Sequence, residues 1–145
     1  MLPTYKRNDR TGKKRGSGKR SGYEEHVAKS LDSRNVPYEY EAEVLPYIKP
    51  PVPPKPSRYT PDFTIEKKDG AKMYIESKGK FTAQDRKKMV LVKEQHPEAD
   101  IRLLFMRDNY LTAQKKSKYS TWALRNGFPF AVSYSGHVPD SWIEE

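Results

Sequence analysis

The chain has 145 residues and no cysteine, which suits a single core and excludes both disulfides and a thiolate metal site. Its formal net charge is +9, with 32% charged and 34% hydrophobic residues, a surface-dominated composition that favours a polyanionic partner. Three scattered histidines (His26, His96, His137) do not make a zinc cluster, no apolar run reaches membrane-spanning length, and the start lacks a signal-peptide core, so a soluble cytoplasmic protein with no membrane partner is expected.

Residues 1–20 carry eight cations, among them Lys13, Lys14, Arg15, Lys19 and Arg20, against one acid, Asp9. Glycines at 12, 16 and 18 and the lack of apolar periodicity predict a disordered basic arm suited to nucleic-acid phosphate, with a merely solubilising tail as the alternative. A single domain is expected over 21–145. Ser21 opens a helix to about Arg34, with Ser21 and Glu24 spaced as a capping box. Glu24, Val27, Ala28 and Leu31 recur with helical period, so Glu24 lies on the inward stripe while Glu25 points away. A carboxylate on that stripe either caps the helix or serves a site. Val36–Val44 reads as a strand, with Tyr38, Tyr40, Ala42 and Val44 alternating with Glu39, Glu41 and Glu43. Its acidic face should avoid phosphate. Residues 46–56 hold six prolines, at 46, 50, 51, 53, 54 and 56, and predict a stiff polyproline II connection rather than a helix or central strand.

The stretch Tyr59–Lys80 predicts a hairpin. Asp69-Gly70 marks the turn between two runs of period-2 alternation, Phe63 and Ile65 on one side and Met73, Ile75 and Ser77 on the other. If those apolar sets face the core, Asp62, Glu76 and Lys78 converge on the opposite face. Two carboxylates there can hold a hard cation such as Mg²⁺ or Mn²⁺, which polarises a phosphate and acidifies a bound water. Lys78 can orient that water or neutralise charge on the phosphorane. A surface salt bridge of no functional weight is the bland alternative.

Thr82 and Asp85 cap a second helix running to Gln95, which His96-Pro97 ends. Its Met89, Val90 and Val92 should face inward, and its Arg86, Lys87 and Lys88 are candidate DNA-backbone contacts beside the hairpin. Ile101–Met106 is a continuous apolar run and reads as a buried strand. The polar loop at 107–118 offers Lys115 and Lys116 as further DNA contacts. A short helix over 120–126 with Trp122 and Leu124, closed by Gly127, precedes a strand at Phe128, Phe130 and Val132 and an anchor at Trp142-Ile143. Core packing is the expected use of these aromatics, in preference to base stacking.

Pro61-Asp62 followed fourteen positions on by Glu76-Ser77-Lys78 resembles the PD-(D/E)xK nuclease signature. Together with Thr60-Pro61-Asp62-Phe63, Tyr74-Ile75-Glu76-Ser77-Lys78-Gly79, Asp85-Arg86-Lys87-Lys88 and Glu94-Gln95-His96-Pro97, it resembles the T7 endonuclease I family of Holliday-junction resolvases, from about Ser21 to Ile143 and more weakly after Arg107. The resemblance implies a restriction-endonuclease-like α/β fold, a mixed sheet flanked by helices, in an intertwined, domain-swapped homodimer. It implies that Glu24 joins Asp62 and Glu76 as a third metal-binding carboxylate, that the Ser77 carbonyl adds a ligand, and that Lys78 assists the attacking water. Two Mg²⁺ (or Mn²⁺) ions per site and a branched-DNA substrate follow, in the cytoplasm of a phage-infected cell. The proline-rich stretch is longer than the family norm, and the family's basic C-terminal tail has no counterpart up to Glu145, so the N-terminal arm is expected to take over that role. A nuclease acting on mismatched or ordinary duplex DNA, or a non-enzymatic DNA-binding module, are the alternatives.

Overall fold

The computed structural model describes residues 21–49 and 55–145. Lys13, Lys14, Arg15, Lys19 and Arg20, with the whole predicted basic arm, lie outside the described residues. Helix α1 (Gly22–Ser33) leads through β1 (Glu39–Tyr40) into a hairpin of β2 (Leu45–Lys49) and β3 (Lys55–Tyr59). Strands β4 (Phe63–Glu66) and β5 (Lys72–Lys78) follow, then α2 (Ala83–Gln95), β6 (Asp100–Phe105), α3 (Tyr119–Arg125), β7 (Phe130–Val132) and α4 (Asp140–Ile143). The main sheet is mixed, in the order β1-β4-β5-β6-β7, antiparallel up to β5 and parallel from β5 to β7.

Both faces of this sheet are covered. On one, Val27, Ala28 and Leu31 of α1 meet Phe63, Ile65, Met73, Ile75 and Leu104. On the other, Met89 and Val92 of α2 and Ala123 of α3 meet Ile101, Leu103, Phe105, Tyr59 and Phe81. The continuous apolar run of β6 is thereby explained, since alternate residues feed opposite cores and every position after Asp100 is buried. The face that carries Glu76 and Lys78 is covered as well: Tyr59 and Phe81 close it, and Glu76 is buried. The predicted β4–β5 turn forms as expected. Gly70 adopts φ +89, the Asp69 carboxylate accepts from Ala71 N–H at 2.9 Å, and Lys67 N–H donates to Ala71 O at 2.7 Å.

Three further expectations change. The strand at 36–44 is reduced to Glu39–Tyr40: Tyr38 and Tyr40 are buried as predicted, but Ala42 and Val44 are exposed. The alternation stops because Glu41 adopts φ +50, a left-handed conformation that turns the chain at the end of the strand. The proline-rich stretch is not an extended polyproline connection on either flank but the β2–β3 ladder, with Pro46 opposite Arg58 and Pro56 opposite Ile48; residues 50–54 lie outside the described residues. The ladder tolerates proline because these are outward-facing pairs. Ile48 N–H and C=O are spent on the Gln95 amide of α2, at 2.7 and 2.9 Å, so positions 46, 48, 56 and 58 owe no hydrogen bond to the partner strand. In α3 the inward residues are Tyr119 and Ala123, whereas Leu124 is 71% exposed; likewise Val90 of α2 is half-buried, with Met89 and Val92 carrying the contact. Among the described residues no helix is long and apolar enough to cross a membrane.

Candidate active site

The carboxyl end of β5 and the residues just before β4 meet where α1 and α2 both begin. Asp62, only 8% exposed, is fixed first: the N–H and the hydroxyl of Ser77 both donate to its Oδ2, each at 2.9 Å. Pairing of β4 with β5 makes this local: Phe63 opposes Ile75, so the residue before β4 falls at the level of Glu76, within reach of the next residue, Ser77. One carboxylate oxygen is committed, and the other is left to neighbours.

Helix α1 contributes Glu24. Its predicted capping box with Ser21 is present, Ser21 Oγ accepting from Glu24 N–H at 3.1 Å and Glu24 Oε1 accepting from Ser21 N–H at 3.2 Å. The cap and the site are not alternatives, because the same oxygen accepts from Tyr40 at 2.7 Å while the side chain reaches toward Asp62. The helix is held in this position at its far side. Tyr23 donates its hydroxyl to Ser133 O at 2.6 Å, and Gly136 lies so close that a Cβ there would stand 2.8 Å from Val27 N. Glu25, as predicted, is exposed.

Glu41 is the residue that sequence reasoning placed on the wrong side. Its φ of +50 and the bond from its N–H to Asp62 O, 3.2 Å, swing it off the outer face, and one oxygen from each of Glu24, Glu41 and Asp62 lies within 4.8 Å of the others. An unbroken alternation hid it. The only cue was an excess of acid, Glu39, Glu41 and Glu43, in a segment next to the motif.

Glu76 and Lys78 come from the α2 side of β5. The Tyr59 hydroxyl donates to Glu76 Oε1 at 2.8 Å, and Lys78 Nζ stands 3.3 Å from Glu76 Oε2 and 3.4 Å from Asp85 Oδ1. Asp85 also caps α2, its other oxygen accepting from Thr82 N–H at 3.0 Å. The helix start and the lysine are thus fixed by one side chain. Lys88 lies with Nζ 5.6 Å from the centre of the Tyr59 ring, at the edge of this group. Lys87 is exposed; Arg86 instead turns inward and donates to Phe81 O at 2.7 Å. Lys115 and Lys116 are exposed on the loop before α3.

Charge in this group is unbalanced. Burial, then the charges of Glu76 and Glu24, push the Asp62 carboxyl well above the ordinary aspartate range. Burial raises Glu76 too, although Lys78 and the Tyr59 hydroxyl pull against it. Burial disfavours the Lys78 ammonium, but Glu76, Asp85 and Asp62 together outweigh it and hold the lysine above its usual value. Lys78 is therefore a cation at neutral pH and not a free base. The donor set fits a hard divalent cation: the trio offers only carboxylate oxygens, without nitrogen or sulfur, and its repulsion is what a bound cation relieves.

Fold and site define a class, a nuclease-like α/β domain whose carboxylates and lysine gather at the carboxyl end of a sheet strand. Residues 5–145 match the family described as phage endonuclease I. Endonuclease I of Escherichia phage T7 is 36% identical over 127 residues, covering 87% of this chain and 78% of its own. Endodeoxyribonuclease 1 of Enterobacteria phage T3 is 38% identical over 117 residues, covering 80% and 72%. The chain belongs to the phage endonuclease I family.

Proposed function

We propose that this protein is a Mg²⁺- or Mn²⁺-dependent endodeoxyribonuclease that resolves four-way and other branched DNA junctions as a homodimer, in the cytoplasm of a phage-infected cell. The observation that carries the reading is the crowding of Glu24, Glu41 and Asp62 within 4.8 Å, beside a charged Lys78, in a member of an endonuclease family. Glu24, Glu41, Asp62 and Glu76, with the Ser77 carbonyl, would hold two ions. When bound, the metal supplies a Lewis acid for the phosphate and a water of lowered pKa. Ser77 keeps Asp62 in one orientation, and Tyr59 does the same for Glu76. Lys78, fixed between Glu76 and Asp85, presents an ammonium to the attacking oxygen or to the phosphorane, where charge develops. Lys87, Lys88, Lys115, Lys116 and the basic arm at 1–20 supply phosphate contacts, with Arg86 steadying the helix that carries two of them. Deleting residues 1–20 should flatten the salt dependence of DNA binding, by about 0.9 in the log-log slope for each phosphate that the arm had neutralised.

A four-way junction has two-fold symmetry and needs two cuts, which a homodimer provides. Within one chain Glu24 already meets Asp62, and exchange of α1 between protomers would recreate the same contact across subunits. Heterodimers of Glu24→Ala with Asp62→Ala test that exchange. Shared sites leave one site intact and nicking returns; separate sites each carry one defect and nicking stays lost. The reading as a whole is tested by cleavage of a four-way junction and of a linear duplex of the same sequence, with Mg²⁺ and with chelator. Preferential, chelator-sensitive junction cleavage is expected. Equal cutting of both substrates would leave a general duplex nuclease, and no metal-dependent cutting would leave a DNA-binding module.

A further inference from the structure

We propose that Tyr40 and Tyr59 are positioning residues of the acid site, each clamping one oxygen of a metal-binding carboxylate and so fixing where the other stands, that of Glu76 beside Lys78 Nζ at 3.3 Å. The inference rests on the metal-dependent reading above and adds residues that lie outside the nuclease signature. Tyr40 donates to Glu24 Oε1 at 2.7 Å, and Tyr59 to Glu76 Oε1 at 2.8 Å. Asp62 is treated alike, through Ser77, on Oδ2 alone. Three carboxylates, from α1, β5 and the turn before β4, thus each have an oxygen pinned by a hydroxyl.

The two tyrosines are built to hold still. Tyr59 is 1% exposed and Tyr40 5% exposed. The Tyr40 ring lies against Phe63, centroids 5.5 Å apart, and Lys88 covers the Tyr59 ring. Each also arrives beside another acid of the site: Tyr40 precedes Glu41 and Tyr59 stands three positions before Asp62, so one short segment delivers a clamp for one carboxylate together with a second carboxylate. A glutamate has three rotatable bonds and two equivalent oxygens. A hydroxyl fixed on one oxygen removes most of that freedom before the metal arrives, which is the role outer hydrogen bonds play at metal sites generally.

Mn²⁺ binding to the DNA-free protein, by calorimetry, tests this with Tyr40→Phe and Tyr59→Phe, which keep the rings and remove only the hydroxyls. Each variant should raise the Mn²⁺ midpoint by about 10–100-fold. Tyr119→Phe is the control: its hydroxyl oxygen accepts from the buried Phe81 N–H at 3.2 Å, so its loss should lower the melting temperature without moving the Mn²⁺ midpoint. Wild-type midpoints in both Tyr40→Phe and Tyr59→Phe would overturn the proposal. So would shifts matched by Tyr119→Phe at equal loss of stability, since the effect would then be structural. The tyrosines act on different acids, so if one variant fails to fold the midpoint of the other decides. If wild-type protein itself took up no Mn²⁺, the metal-dependent reading would fall first and this inference with it, an outcome visible without any variant.

Discussion

Two groups of half-hidden carboxylates sit at opposite ends of the sheet, and they are handled in opposite ways. At the start of β6, Asp100 takes Arg102 on both oxygens, at 2.9 and 2.8 Å, and Lys67 at 2.9 Å, while Arg102 also donates to both oxygens of Glu145. Burial would raise the Asp100 carboxyl, yet Arg102 and Lys67 pull it below the ordinary range. At the carboxyl end of β5, Asp62 has serine donors and acid neighbours, and its carboxyl is driven the other way. Compensated charge is architecture here. Charge left uncompensated inside a fold is costly unless something else supplies the cation, and that difference separates a site from a strut.

The largest effect expected is on chemistry. Glu76→Gln or Lys78→Ala should abolish junction cleavage, a loss of at least about 10³-fold or ~4 kcal/mol of barrier, in single-turnover assays. Junction affinity should stay within about tenfold, ~1.4 kcal/mol, because binding is spread over many phosphate contacts. Near wild-type cutting by either variant would put the chemistry elsewhere. At the compensated end Arg102→Met should leave kcat unchanged and cost about 1–3 kcal/mol in the urea midpoint, since Asp100 and Glu145 lose charge-assisted bonds while remaining partly solvated. A loss of cleavage there would erase the contrast between the two ends.

Much of this was legible in the sequence, and what was not has local causes. The hairpin, both capped helices and the β6 strand follow from strong signals: a turn glycine, two capping boxes, an apolar run. Glu24 stood out because an acid on an apolar stripe demands a reason, and its place beside Asp62 is what the family resemblance implied. Glu41 was missed because period-2 alternation assumes an unbroken strand, and one residue at φ +50 cancels that assumption. The β2–β3 ladder was missed because proline forbids a ladder only where its nitrogen faces the partner, and register cannot be read from composition. The tyrosine donors to Glu24 and Glu76 left no local signal, since each hydrogen bond spans sixteen or more positions. Glu41→Gln measures the miss directly: it should weaken Mn²⁺ binding by about tenfold, ~1.4 kcal/mol, and a wild-type midpoint would return Glu41 to the surface.

The smallest effect is the most particular to the uncompensated end. A carboxyl whose folded-state pKa lies above its unfolded value, about 3.9 for aspartate, binds its proton more tightly when folded, so its contribution to stability falls as pH rises from there toward the folded value. Asp62 therefore burdens the metal-free protein at neutral pH, and Asp62→Asn should remove the burden while its amide oxygen still accepts from Ser77. In chelator the variant should melt higher than wild type at pH 7, with the gap closing as pH is lowered toward 4. Added Mn²⁺ should reverse the order, because binding to the native state stabilises wild type by RT ln(1 + [Mn²⁺]/Kd), an increment the variant largely forgoes. A variant that melts below wild type in chelator at pH 7 would show that Asp62 is a strut after all, no different in kind from Asp100.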